Sequence, residues 1–212
     1  MSGLKPVFRE AREAVVIGAG RLKDRLHQVA DNMDGHLDTI VRRVRDEDNF
    51  NNAVVTNRGG NAKVTVYDPV TRRPITEYGH IREDFGSSTR GDNATAIGNR
   101  VPGDYDGGHL GGHRFFGDTA DPGIVPQASN LNRVAWRVME NEWAAWSGRG
   151  YHVDYTIDVY PPGAELPDTF EVSYTVTNPN TGEQILQAYP YFYNQPGQVF
   201  TRVPSAEMPP IS

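Results

Sequence analysis

Two histidines stand four residues apart in "DYDGGHLGGHRFFGD" (104–118), a stretch that also holds five glycines. A neutral imidazole titrates at about 6.5 and can take a proton from water near neutral pH. His109 and His113 could also bind zinc from successive turns of a helix. The flanking glycines oppose a helix there, and no third ligand is evident in the sequence. From this stretch alone the two rings read as proton-transfer groups, a zinc pair or hydrogen-bonded structural side chains. Further on, "SNLNRVAWRVMENEW" (129–143) brings Asn132, Arg133 and Glu140 into one segment.

These residues need elements to hold them. A helix over 129–147 is predicted, with Ser129 or Asn130 as its cap and Gly148 as its stop. Period-two patterning makes strands of 62–67 and 74–81, joined as a hairpin through Asp68-Pro69 and the Arg72-Arg73-Pro74 corner. It also makes strands of "YHVDYTIDVY" and "TFEVSYTVT", followed by a turn at "NPNTGE" and the aromatic "AYPYFYN". Residues 86–102 read as a long Gly/Ser/Asn-rich loop. Upstream, Val7, Ala11, Val15, Gly18, Leu22, Leu26, Val29, Met33, Leu37, Ile40 and Val44 recur at steps of three and four, the stripe of an amphipathic helix. Asn-rich 46–52 reads as a linker. The expected class is α+β, with a helical segment over 1–52 and the chemistry in 53–212.

The 212 residues contain no cysteine, which excludes thiol catalysis and thiolate metal sites. The longest apolar run near the N-terminus, Ala14 to Ala19, is too short for a signal peptide or a membrane span. The net charge of -6 argues against a polyanionic partner until its distribution is considered. Residues 151–212 carry seven acids and only Arg202, whereas 51–150 carry eleven acids and eleven bases, all arginine except Lys63. The excess negative charge lies away from the histidines, and arginine suits bidentate phosphate contacts.

"GIVPQASNLNRVAWRVMENEWAAW" (123–146) together with the upstream "DGGHL" resembles the DNA/RNA non-specific endonucleases of the ββα-metal, or His-Me finger, superfamily. The likeness is strongest to the branch found in type VII secreted and polymorphic bacterial toxins. It rests on Asp106, Gly107-Gly108-His109-Leu110, Pro126-Gln127, Leu131-Asn132-Arg133, Trp136, Glu140 and Trp143, in that order. The resemblance spans about residues 53–205. It implies a ββα-metal core with an antiparallel sheet, His109 as general base, and Asn132 as a direct ligand of Mg2+, for which Mn2+ can substitute. It further implies that Glu140 holds metal-bound water and that Arg133 contacts phosphate. Asp106, Gly108, Arg114, Gln127 and Asn130 are the remaining substrate-side candidates, and Arg100 is a further possible phosphate clamp. His113 has no counterpart and reads as structural or at the substrate's edge.

Eight residues along a regular helix span about 12 Å and turn by about 80°, so Asn132 and Glu140 cannot both grip one ion directly from such a helix. Either Asn132 sits at the helix entrance with a bent first turn or Glu140 acts through water, and the second arrangement is the one expected. Trp136, Met139 and Trp143 are expected to pack on the upstream hairpin. The glycines around His109 are expected to leave room for a nucleic-acid backbone. Two departures stand out: Gly107 where many relatives carry arginine before Gly-His, and Gly123 where some carry asparagine before Pro-Gln.

The implied activity is hydrolysis of DNA or RNA to 5′-phosphate ends by a protein secreted, or delivered to a target cell, by a signal-peptide-independent system. A cognate immunity protein is an implied partner, and residues 1–50 are a candidate carrier or oligomer contact. The alternatives are a catalytically silent binding or structural module of the same fold, and a zinc hydrolase built on His109 and His113.

Overall fold

The computed structural model describes residues 52–86, 94–119 and 121–211. The helical segment expected upstream lies outside them.

Among the described residues, seven antiparallel strands build the main sheet: β1 (Ala53–Arg58), β2 (Asn61–Tyr67), β3 (Pro74–Ile81), β6 (His152–Tyr160), β7 (Thr169–Thr177), β8 (Gln184–Ala188) and β9 (Tyr191–Tyr193). The order is β1-β2-β3-β6-β7-β8, and β9 pairs with the other half of β7. The β2–β3 turn forms as its residues dictate. The Asp68 carboxylate accepts the amides of Val70 and Thr71, both at 2.8 Å, and Arg72 adopts φ 61°. Strand β1 is additional to the sequence reading.

A second sheet consists of two short antiparallel strands, β4 (Tyr105–His109) and β5 (Ile124–Ala128). The expected loop over 86–102 instead contains a five-residue helix, α1 (Ala94–Gly98), and α2 (His113–Phe116) follows β4. After β5 comes one composite helix: an α turn (Ser129–Leu131), a π-helical turn (Asn132–Trp136) and α-helix (Arg137–Ser147). The molecule is therefore α+β, with a β-β-α unit at its centre. Among the described residues no helix is long and apolar enough to cross a membrane.

The composite helix buries an aromatic face on the sheet. The Trp143 ring stacks on Tyr155 of β6 at 4.9 Å and meets Tyr174 of β7 edge-on at 5.6 Å. The Trp136 ring lies 5.2 Å from Phe170 of β7 and 5.4 Å from Phe192 of β9. With Met139 these tryptophans are fully buried. Aromatic pairs add about 0.5–1.5 kcal/mol each beyond the area they bury. These tryptophan partners lie on β6, β7 and β9, not on the β2–β3 hairpin that the sequence suggested, because β6 and β7 occupy the middle of the sheet. Gly148 ends the helix as expected, its amide donating to the Ala144 carbonyl at 2.9 Å. The N-cap residue is Ala128, and no side chain caps that end. The hydroxyl of Ser129 bonds Asp106 instead, and the Asn130 amide oxygen accepts from Gly197.

Candidate active site

Strand β4 carries the first half of the site on its last residue, His109. Its glycines are filled by the protein itself, not kept clear for a ligand. A Cβ at Gly107 would lie 1.8 Å from the Ala94 carbonyl oxygen, since α1 rests directly on this strand. One at Gly108 would lie 2.3 Å from Gln127 Oε1, and one at Gly111 only 1.9 Å from the Tyr155 hydroxyl. Gly112 adopts φ +67°, which favours glycine, and a Cβ there would lie 3.0 Å from the Glu140 carboxylate. The expected gap for a nucleic-acid backbone is thus taken by close internal packing that fixes the His109–His113 loop. The two rings face each other edge-on with centroids 5.4 Å apart, and His113 Nε2 lies 3.3 Å from Asp118 Oδ1.

Beneath this loop sits a buried polar cluster. Glu77 accepts from the Lys63 ammonium at 3.0 Å, the Thr65 hydroxyl at 2.6 Å and the Tyr155 hydroxyl at 2.9 Å. Lys63 and Glu77 are almost wholly excluded from solvent. Burial, together with the Glu77 charge it faces, pushes the Tyr155 phenol well above its usual range, so it remains a donor.

The composite helix supplies the other half. Its π turn bonds i to i+5 and so rotates less per residue than an α turn. That lag removes much of the angular offset between Asn132 and Glu140 expected of a regular helix. Asn132 and Glu140 both line the cleft, while Trp136, Met139 and Trp143 turn into the core. The helix thus departs from regularity at Asn132–Trp136, after an ordinary first turn at Ser129–Leu131.

Asp106 of β4 ties the halves together. Its carboxylate accepts from Asn132 Nδ2 at 3.0 Å, from Arg133 Nε at 2.8 Å and Nη2 at 2.6 Å, and from Ser129 Oγ at 3.2 Å. Burial alone would raise its pKa, but the bonds from Arg133, Asn132 and Ser129 prevail and hold it below the usual carboxylate range. A carboxylate only accepts, so the amide end facing it must be the NH2, and the carbonyl oxygen of Asn132 is the end left for a ligand. Asp106 thus orients an amide rather than an imidazole. Arg133 is two-thirds exposed but already engaged in a fork–fork pair with it.

A cleft of about 870 Å3 runs between α1 and β4 on one side and the composite helix on the other. His109, Asn132, Arg133, Glu140, Asp106 and Arg114 all line it, as does His113. Gly108, Gln127, Asn130 and Arg100 do not. Gln127 is fully buried against Gly108, Asn130 faces Gly197, and Arg100 lies 3.8 Å from Glu165. Arg114 is clamped by Asp84 at 2.9 and 2.6 Å and donates to Asn141 Oδ1 at 2.6 Å. The sequence reading passed over Thr95, Asn99, Arg137 and Asn141, which also line the cleft. The available signal was the spacing Arg133, Arg137, Asn141, one residue per helical turn.

The donors fit a hard divalent cation. The Asn132 carbonyl and the Glu140 carboxylate are oxygen ligands in one polar cleft, the set that suits magnesium rather than zinc. No three His, Asp or Glu side chains among the described residues are grouped to hold a metal, so His109 and His113 do not belong to a closed zinc set there.

Known proteins similar to this chain include one family model and several solved structures. A family model described as DNA/RNA non-specific endonuclease matches residues 82–178. Among solved structures the chain is similar to NucA from Streptococcus agalactiae with no metal bound, at 15% identity, TM-score 0.48, and coverage of 66% of this chain and 73% of that one. The magnesium-bound form of NucA matches at 13% identity, TM-score 0.48, and coverage of 68% and 84%. The EndoG/EndoGI complex matches at 15% identity, TM-score 0.46, and coverage of 73% and 77%. No curated protein matches the chain. His109, Asn132 and Glu140 all lie inside the span, residues 82–178, that matches the DNA/RNA non-specific endonuclease domain.

Proposed function

We propose that the domain over 53–212 is a metal-dependent endonuclease that cuts DNA, RNA or both without reading sequence and leaves 5′-phosphate ends. The observation that carries this reading is the pairing, across one cleft, of the His109 ring with an Asn132 amide whose NH2 end is consumed by Asp106.

Each residue then has a definite task. His109 accepts the proton of the attacking water, as a neutral imidazole does near pH 7. The Asn132 carbonyl would hold Mg2+, or Mn2+ in its place, with Glu140 holding water around the ion. When bound, such a cation neutralises charge that builds on the phosphoryl and leaving oxygens. Because Asn132 is neutral, it leaves the charge of the ion undiminished. Asp106 keeps the amide turned, and Arg133, once released from Asp106, can meet a phosphate. Cleft residues that donate to backbone rather than to base edges give affinity without sequence preference.

The biological setting we propose is a toxin or scavenging nuclease delivered to its target by a signal-peptide-independent route, with an immunity protein protecting the producer. The test is a gel assay on closed circular plasmid, with and without EDTA, using wild type, His109→Ala and Asn132→Ala. Nicking that requires a divalent cation and disappears in both variants is expected. Equal inertness of all three in Mg2+ and Mn2+, with circular dichroism intact, would overturn the reading in favour of a silent binding module.

A further inference from the structure

Three arginines of the cleft differ in what already holds them. Arg114 is gripped by Asp84 and Asn141, and Arg133 by both oxygens of Asp106. Arg137 lines the same cleft, is exposed, and makes no hydrogen bond or ion pair with any described residue. Its neighbours explain this. Arg133, one turn before, offers no acceptor, and the Asn141 amide oxygen, one turn after, is taken by Arg114. On the opposite wall, Gly107 has no room for any side chain because α1 lies against it, so β4 presents no cation at that position.

We infer that Arg137 is a standing phosphate contact of the cleft, binding the nucleic-acid backbone beside the residue pair that does the chemistry. The inference rests on the endonuclease reading for its substrate and extends it to a residue outside the family motif. An exposed guanidinium with no acceptor of its own carries no internal bond that must break before it meets a phosphate. Arg133 must first give up two. A planar fork also matches the paired oxygens of a phosphate.

The test measures binding and cutting separately. Binding of a fluorescent DNA duplex is followed in EDTA across a salt series, in a His109→Ala background. Arg137→Ala should weaken binding about 10-fold and flatten the slope of log K against log salt by about 0.9, the value for one lost phosphate contact. Arg137→Lys should restore the slope, because the charge is back, but recover affinity only in part. Arg202→Ala, the same charge change at an exposed position outside the cleft, is the control. In the His109-intact protein, Arg137→Ala should raise KM with little change in kcat.

An Arg137→Ala slope and affinity equal to those of Arg202→Ala would overturn the inference even if wild type cuts plasmid. Arg137-dependent binding by a protein that never cuts would sustain the contact and sink the endonuclease reading instead. Absence of any binding would sink both.

Discussion

The seven-stranded sheet and the β4–β5–helix unit obey different rules. In the sheet, β3, β6 and β7 run in unbroken antiparallel register, with Gly79 opposite Tyr155 and Tyr155 opposite Tyr174, and their inward side chains form the core. In the smaller unit nearly every regularity is broken. Its strands are five residues long, its glycines touch neighbouring backbone or side chains, and its helix holds a π turn. The sheet spends its sequence on burial and the small unit on aiming polar groups. Regular elements supply rigidity, and departures from regularity supply direction.

Substitutions should separate these two roles. The largest effect is expected from His109→Ala, which should lower cleavage by about 10²–10⁴-fold in a kinetic assay while leaving the circular dichroism spectrum unchanged. An equally large loss of structure would erase the contrast. Glu77→Ala strands the buried Lys63 ammonium and should cost about 3–5 kcal/mol in urea unfolding. A cost below 1 kcal/mol would show that the cluster under the loop is not a support. Asp106→Asn sits between the classes, since it changes aim rather than burial. It should reduce metal affinity or cleavage by about 10–100-fold with little loss of stability. Cleavage at the wild-type rate would mean that the Asn132 amide needs no orienting bond.

The smallest effect is expected from Glu142→Gln. Burial raises the Glu142 carboxyl above its usual range, against the opposing bonds from the Tyr174 hydroxyl and the Val203 amide. A carboxyl raised by folding favours the fold while protonated, so it withdraws stability as pH climbs through its range. A glutamine can accept from Val203 and donate to the Tyr174 oxygen. Its stability at pH 7 should lie within about 1 kcal/mol of wild type, because exchanging a buried charge for a neutral hydrogen-bonded group is close to neutral. The acid-side dependence should flatten. A steep loss would instead mark the charge itself as necessary.

The same contrast governs what can be read from the chain. Strands β2, β3, β6 and β7 and the helix over 129–147 are visible because their periodicity reflects a buried face. β4 and β5 are not, since "YDGGH" and "IVPQA" carry glycine and proline where alternation would show. α1 is too short to display a period. Among site residues, His109, Asn132 and Glu140 are legible through motif order. Gln127 and Gly108 belong to the same motif for a different reason, namely that they pack on each other. Arg137 went unseen because nothing in the order of residues says which cation lacks an acceptor. That depends on Asp84, Asp106 and Asn141 arriving from three separate elements.

The π turn has one consequence for counting along the chain. Asn132 and Glu140 are eight residues apart, but the wide turn absorbs roughly one of them, so the pair stands in phase as though seven apart on a plain α-helix, close to two full turns. Deleting a residue within 133–136 should let the helix regularise and keep the amide and carboxylate on the same side, whereas the same deletion within 137–139 should swing them apart. The helix tolerates a change of length at one place only.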